Sequence, residues 1–282
     1  MPAEHPIVRR LILLLCLMPA AAAFAAPAPE QTQALVDRAL SNELQAAQDA
    51  NHPMRYILRK ASPRFVSTKA VCETRDGDVA MLLSVNDQPL SPDDQHKEQA
   101  RLDALLSDPG LQRHRKQSED ADAARALKVL RVLPGAFLYE YADTEDSPSG
   151  MVAKFTFKPN PGFKPPDLET QVLAAMSGAI WIDIAHARVT RLEGHLDRDV
   201  DFGWGILGRL YNGGSIVFEQ ADVGAGQWRM VRFHMQMSGR VLFRTRVFDT
   251  TEEETHYMPV PVGIGYAQAI QMLREGGASW ER

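Results

Sequence analysis

The sequence predicts a mainly β chain with helices, an α+β fold built on a curved antiparallel meander. Three observations predict it. About ten to eleven segments alternate apolar and polar residues, the period of a half-buried strand. Only a few stretches carry helical spacing. Turn residues such as Asp76-Gly77 and Ser238-Gly239 fall between neighbouring segments at hairpin distance. So many antiparallel strands do not lie flat, because twist accumulates from one to the next. Closure also removes exposed edges. An incomplete barrel with helices over its open side satisfies both demands.

Residues 1–25 read as a cleavable secretory signal peptide. Arg9 and Arg10 form the basic start, Leu11 to Met18 is an unbroken apolar run, and Ala23-Phe24-Ala25 is an A-x-A cleavage site. Pro19 interrupts the run well short of the ~20 residues that span a bilayer. Cys16 follows Leu13-Leu14-Leu15 rather than small residues, which argues against lipidation. No Ser or Thr precedes the arginine pair, which favours general secretory export. Residues 26–282 are then expected to form one periplasmic domain with no transmembrane segment after cleavage.

Residues 30–50 predict an amphipathic helix, with Val36, Leu40, Leu44 and Ala47 on one face. Strands follow at 54–60, 65–74 and 78–85. A helical insertion is expected at about 91–133. Ser91 can accept from free backbone N–H groups at its start and Pro92 suits the first helical position. Asp93 and Asp94 suit the positive end of the helix dipole. Leu102, Leu105 and Leu106 give an apolar stripe before Pro109-Gly110 stops the helix. A third stretch, 111–132, turns apolar only at Ala126, Leu127, Leu130 and Val132, and its polar part, 113–122, reads as a mobile insertion. Beyond Pro134-Gly135, Phe137-Tyr139-Tyr141 and Met151-Ala153-Phe155-Phe157 alternate as strands. A rigid loop at 159–166 leads to a short helix at 167–176. A meander then runs through 179–184, 188–197, 215–221, 227–237, 240–248 and 251–257, and a helix at 266–274 ends the pattern.

Removing residues 1–25 takes away Arg9, Arg10 and Glu4. The 31 basic and 36 acidic groups become 29 and 35, a net charge of −6. That excludes nucleic acid as a partner, since binding it asks for a basic face. Cys72 alone survives cleavage, so an oxidising compartment finds no internal disulfide to form. Its alternation with Val66, Thr68 and Ala70 marks it as a small buried residue rather than a reactive thiol.

Trp181-Ile182-Asp183, a tight turn at Ala185-His186-Ala187, and Val189-Thr190-Arg191-Leu192-Glu193 together resemble a hairpin of bacterial outer-membrane lipoprotein-sorting proteins. That superfamily includes the lipoprotein carriers LolA and LolB. Further likeness lies in Gln88-Pro89-Leu90-Ser91-Pro92, in Pro161-Gly162-Phe163-Lys164-Pro165-Pro166, and in Asp201-Phe202-Gly203-Trp204-Gly205 ahead of Phe218-Glu219-Gln220. These look most like uncharacterised envelope members. The resemblance covers about residues 54–257. It implies an incomplete antiparallel barrel that holds acyl chains in an apolar concavity, with no catalytic residue. The polar segment at 110–132 departs from the small carriers.

The remaining motifs carry little chemistry. Gly203-Trp204-Gly205-Ile206-Leu207-Gly208 matches G-x-G-x-x-G, but Asn212-Gly213-Gly214 follows too soon for the helix a dinucleotide needs. It reads as a strand connection, or as an apolar loop of Phe202, Trp204, Ile206, Leu207 and Tyr211 that meets lipid or a partner. Asp197, Asp199 and Asp201 begin like a calcium loop, yet Phe202 and Gly208 stand where Gly and Glu are needed. The seven later histidines have no metal spacing, so no cofactor and no metal are expected. Ser215 lacks a nucleophile elbow, although a triad can assemble from distant residues. Glu252-Glu253-Glu254 reads as a solvated strand end.

Candidates to line an apolar cavity are Phe155, Phe157, Trp181, Phe218, Trp228, Met230 and Phe243. Alternation sends Met230 to one face and Met235 and Met237 to the other. The expected function is non-enzymatic binding or carriage of a lipid or acylated polypeptide, with an apolar ligand or lipoprotein as partner. The alternative is an envelope assembly or interaction protein with a filled barrel and a protein partner. A hydrolase would need a site that no motif announces.

Overall fold

The structure is a computed structural model that describes residues 29–202, 208–241 and 244–276. The signal peptide expected at 1–25 lies outside the described residues. Helix α1 (Pro29–Ala46) precedes strands β1 (Met54–Ser62), β2 (Phe65–Cys72), β3 (Val79–Val85) and β4 (Gln88–Pro89). Helices α2 (Pro92–Ser107) and α3 (Pro109–Ala136) follow, then β5 (Phe137–Ser147) and β6 (Gly150–Pro159). A 3-10 turn at Thr170–Ala175 leads to β7 (Met176–Asp183), β8 (Arg188–Leu196), β9 (Val200–Phe202) and β10 (Gly208–Leu210). The chain continues through β11 (Ser215–Asp222), β12 (Trp228–Val241), β13 (Arg244–Pro259) and α4 (Tyr266–Gly276).

All thirteen strands join one sheet in the order β4-β3-β2-β1-β13-β12-β11-β8-β7-β6-β5, with β10 paired alongside the C-terminal end of β12 and β9 paired with β10. Every pairing is antiparallel. The path is open, so the incomplete barrel read from the sequence is the observed architecture, with more strands than the ten or eleven expected. The extra ones, β4, β9 and β10, are two or three residues long. No periodicity is readable at that length.

Helix α3 reveals the curvature. Its Glu119 accepts from the backbone N–H of Asp78 beside β3, and its last residue, Ala136, adjoins β5. Seventeen residues of helix span about 26 Å. From β3 to β5 are nine inter-strand steps, about 43 Å if the sheet were flat. The sheet must therefore bend toward α3, which bridges its two ends. Two caps explain why that helix exists. Ser91 accepts from Asp94 N to start α2, and Asp108 accepts from Gly110 N (2.7 Å) and Leu111 N (3.1 Å) to start α3. Pro109-Gly110 thus opens a helix as well as ending one. The stretch at 113–122, expected to be a mobile insertion, is regular helix inside α3.

Two cores form on opposite faces. On the concave face, Val36, Ala39 and Leu40 of α1 and Leu133 and Ala136 of α3 pack on Phe155, Phe157, Ile180, Ile182 and Val189. On the convex face, Leu102 and Leu105 of α2 and Ala269, Ile270 and Leu273 of α4 pack on Ile57, Ala70, Cys72, Val79 and Met81. The helices are thus divided between the faces and do not all cover the open side. Cys72 is fully buried, and burial pushes its thiol up to about 11, so it is the inert core residue its alternation suggested.

One expected turn is not found. Ser238-Gly239 lies within β12, which runs on to Val241. Gly239 answers a different need: a Cβ there would stand 2.6 Å from the carbonyl oxygen of Arg209, because β10 approaches so closely.

Candidate functional site

Register places Phe155, Ile180, Leu192, Phe218 and Phe233 in one row across the concave face of β6, β7, β8, β11 and β12. Half of the row is solid core. Phe155 and Ile180 are each 1 % exposed beneath α1. The other half is open. Phe218 and Phe233 are half-buried, as are Met235 and Met237 on the same face of β12.

A β-bulge adds to this wall. β11 runs Glu219–Gln220 without a gap while β12 jumps from Arg232 to Met230, leaving Val231 as the extra residue. One extra residue reverses the alternation. Met230 therefore shares the face of Phe233, Met235 and Met237, correcting the split that simple alternation predicts. Along α3, every residue from Asp120 to Ala126 is exposed. Two turns of helix exposed all round are not packed on the strands beneath them.

The wall ends in a polar corner. Tyr56 and Tyr257 stack at 5.0 Å. They meet because β13 also carries an extra residue opposite the Arg55/Ile57 step, where His256 has a φ of 57°. The Tyr257 hydroxyl donates to the Met230 carbonyl at 2.7 Å and also touches Glu254 Oε2. One hydroxyl proton cannot serve two acceptors. The hydrogen bond to Glu254 favours the ionised carboxylate, whereas burial favours the protonated form. Burial, together with Glu252 and Glu73, pushes Glu254 up to about 7, against the Tyr257 hydrogen bond and Arg229. Nearby, burial and then Glu73 and Glu119 push Asp78 up to about 7, against Arg115. Burial also raises Glu73, which accepts from Met54 N at 2.8 Å and lies 3.8 Å from Arg229. The run Glu252-Glu253-Glu254 is therefore no solvated strand end. All three are half-buried; Glu252 pairs with Lys60 at 2.6 Å and Glu253 with Arg59 at 3.6 Å.

The expected lining residues scatter. Phe218 and Met230 lie on the open wall. Phe155 and Phe157 belong to the core under α1. Trp181 is on the convex face, with Lys154 Nζ 4.7 Å from its ring centroid and Arg191 at 5.6 Å. Trp228 is 7 % exposed, beside Arg188 and His186. Phe243 lies outside the described residues, as do Trp204, Ile206 and Leu207 of the apolar loop. Phe202 packs against the concave core and Tyr211 is half-buried. Phe233, Tyr56, Tyr257 and Glu254 were missing from the sequence-derived set. Two bulges turn Met230 and Tyr257 onto the face that Phe233, Tyr56 and Glu254 already share, and a bulge leaves no mark in the residue pattern.

Ser177, His195 and Asp197 do gather on the convex face. Ser177 Oγ lies 3.1 Å from His195 Nε2 and donates to Asp197 Oδ1 at 2.9 Å. Asp197 approaches that same Nε2, also at 3.1 Å. A catalytic triad needs the carboxylate on the other ring nitrogen and the serine proton aimed at histidine. This cluster has neither. Asp199 and Asp201 pair with Arg209. Among the described residues no group of three His, Cys, Asp or Glu side chains is placed to hold a metal ion. No described helix is long and apolar enough to cross a membrane. A separate cleft of about 840 Å³ lies on the convex side, between Met81, Leu83, Leu90, His96 and Arg274.

No family model matches the chain, and no curated protein matches it. Two solved structures are similar to it. One is a LolA superfamily protein from Nitrosomonas europaea, 11% identical over 80% of this chain and 92% of that one, with a TM-score of 0.30. The other is an outer membrane lipoprotein-sorting protein domain from Vibrio parahaemolyticus, 11% identical over 87% of this chain and 98% of that one, with a TM-score of 0.32.

Proposed function

We propose that the protein is a non-enzymatic, periplasmic binding or carrier protein for a lipid or acylated polypeptide. One observation carries the reading: Phe218, Met230, Phe233, Met235 and Met237 share the concave face and are only half-buried, while the exposed middle of α3, which bridges that face, packs on no strand. Exposed contiguous apolar surface marks a place of contact. Unbranched methionines adapt to chains of varying shape. An acyl chain laid between the strands and α3 would lose its water contact without any rearrangement of the cores.

The protein purified from the cell envelope should release lipid on solvent extraction and show bound lipid by native mass spectrometry. Met235→Asp, a charge placed on the wall, should abolish that lipid while leaving the circular dichroism unchanged. Repeated absence of lipid from the folded wild-type protein would overturn the proposal. A second reading, an envelope assembly protein with a filled barrel, draws on the burial of Phe155 and Phe157 under α1. It expects no bound lipid and capture of a protein partner instead.

A further inference from the structure

β13 is longer than the strand beside it. β12 pairs with it from Arg244 to Glu253, but β1 joins only from Thr251 onward, at Ala61↔Thr251. On that side Arg244 to Thr250 have no strand partner among the described residues. Arg244 to Phe248 are all exposed, Val247 at 69% and Phe248 at 43%. An edge of this kind presents a row of free backbone N–H and C=O groups, a template for another extended chain. Its side chains are not uniform. Arg244, Arg246 and Phe248 share the concave face through their pairing with Val241, Gly239 and Met237. Thr245, Val247 and Asp249 take the other face.

We propose that this edge receives an extended acidic polypeptide segment by strand addition. Carboxylates on alternate residues of the segment face Arg244 and Arg246, and an apolar side chain faces Phe248. Directly opposed residues of an antiparallel pair stand close enough for opposite charges to attract and like charges to repel. That rule also disfavours a second copy of this chain, because antiparallel self-pairing would gather four arginines on one face. The site extends for about seven residues, until the β1–β2 turn at Phe65, itself 49% exposed, ends the groove. The inference goes beyond the apolar-ligand reading and does not depend on it.

Fluorescence anisotropy with a labelled seven-residue peptide, Glu at its fifth and seventh positions, Val at its third and Thr elsewhere, added to the chain lacking residues 1–25, tests it. Two further peptides carry N-methyl groups on one or the other alternate set of amides. The wild-type protein should bind the plain peptide and one methylated form, and lose the form whose methyl groups face β13. Arg244→Glu with Arg246→Glu should weaken binding on the order of tenfold or more, since two attractive pairs become repulsive. Failure of the plain peptide to bind overturns the proposal, as does equal binding of both methylated forms or of the double variant. Two other results also overturn it. One is a dimer in analytical ultracentrifugation that the double variant dissolves. The other is retention on phosphatidylglycerol vesicles, lost in the double variant, with no peptide binding.

Discussion

Glu43 ties α1 to the sheet through four hydrogen bonds. Its Oε1 accepts from Arg188 Nε (2.9 Å), Val189 N (2.9 Å) and Gln220 Nε2 (2.7 Å), and its Oε2 accepts from Arg188 NH2 (2.9 Å). Both charged side chains are only 13% exposed. Removing one partner of such a pair strands the other in a poor solvent. Glu43→Ala should therefore cost about 3 kcal/mol, measured as a lower urea midpoint at unchanged slope. Glu254 acts in the opposite sense. Its folded-state value, about 7, lies above the ordinary 4.5, so the native state holds the proton more tightly. Between those values stability falls as pH rises, because only the unfolded state ionises freely. Glu254→Gln keeps a carbonyl oxygen to accept from Tyr257 and removes the charge. It should stabilise the protein by about 1–3 kcal/mol at pH 8, at roughly 1.4 kcal/mol per unit, and leave it unchanged near pH 4. Thermal melts at the two pH values measure this. Equal melting shifts at both would show that Glu254 is ionised freely in the fold.

At the scale of the element, α3 has two ends with separate duties. Arg115 donates to the Asp78 carbonyl at 2.7 Å and Glu119 accepts from Asp78 N at 2.8 Å, while Leu133 and Ala136 are built into the concave core. The exposed middle holds the two ends apart. Deleting the exposed residues 120–126 removes about two turns, which preserves the helix face while shortening the span by about 10 Å. The concave core should survive, and urea melts should show less than about 2 kcal/mol of loss, typical of removing surface contacts. Bound lipid should fall severalfold by mass spectrometry, because the shortened helix no longer reaches over the wall. Lipid content equal to wild type would show that α3 takes no part in retaining it.

At the scale of the whole molecule, an arched open sheet with a core on each face is not packed evenly along its concave side. The strands under α1 are filled, whereas Phe218, Met230, Phe233 and Met235 of β11 and β12 are only half-buried. The turn chemistry of Asp76-Gly77, the cap at Ser91 and the alternation of Phe137, Tyr139 and Tyr141 make most strands and helices legible in the sequence. These signals act between residues close in the chain, so a local pattern records them. Met230, Tyr257, Gly239 and α3 behave differently. A single extra residue at Val231 or His256 inverts which side chains meet. Gly239 is explained by β10, which lies some thirty positions earlier, and α3 by an edge it reaches only because the sheet bends. Local hydrogen bonding and hydrophobic period therefore sufficed to predict the elements and the curved antiparallel class. The face each side chain occupies, the warmth of Glu254 for its proton and the free stretch of β13 were settled by strand register and curvature, which depend on contacts between residues far apart in the chain.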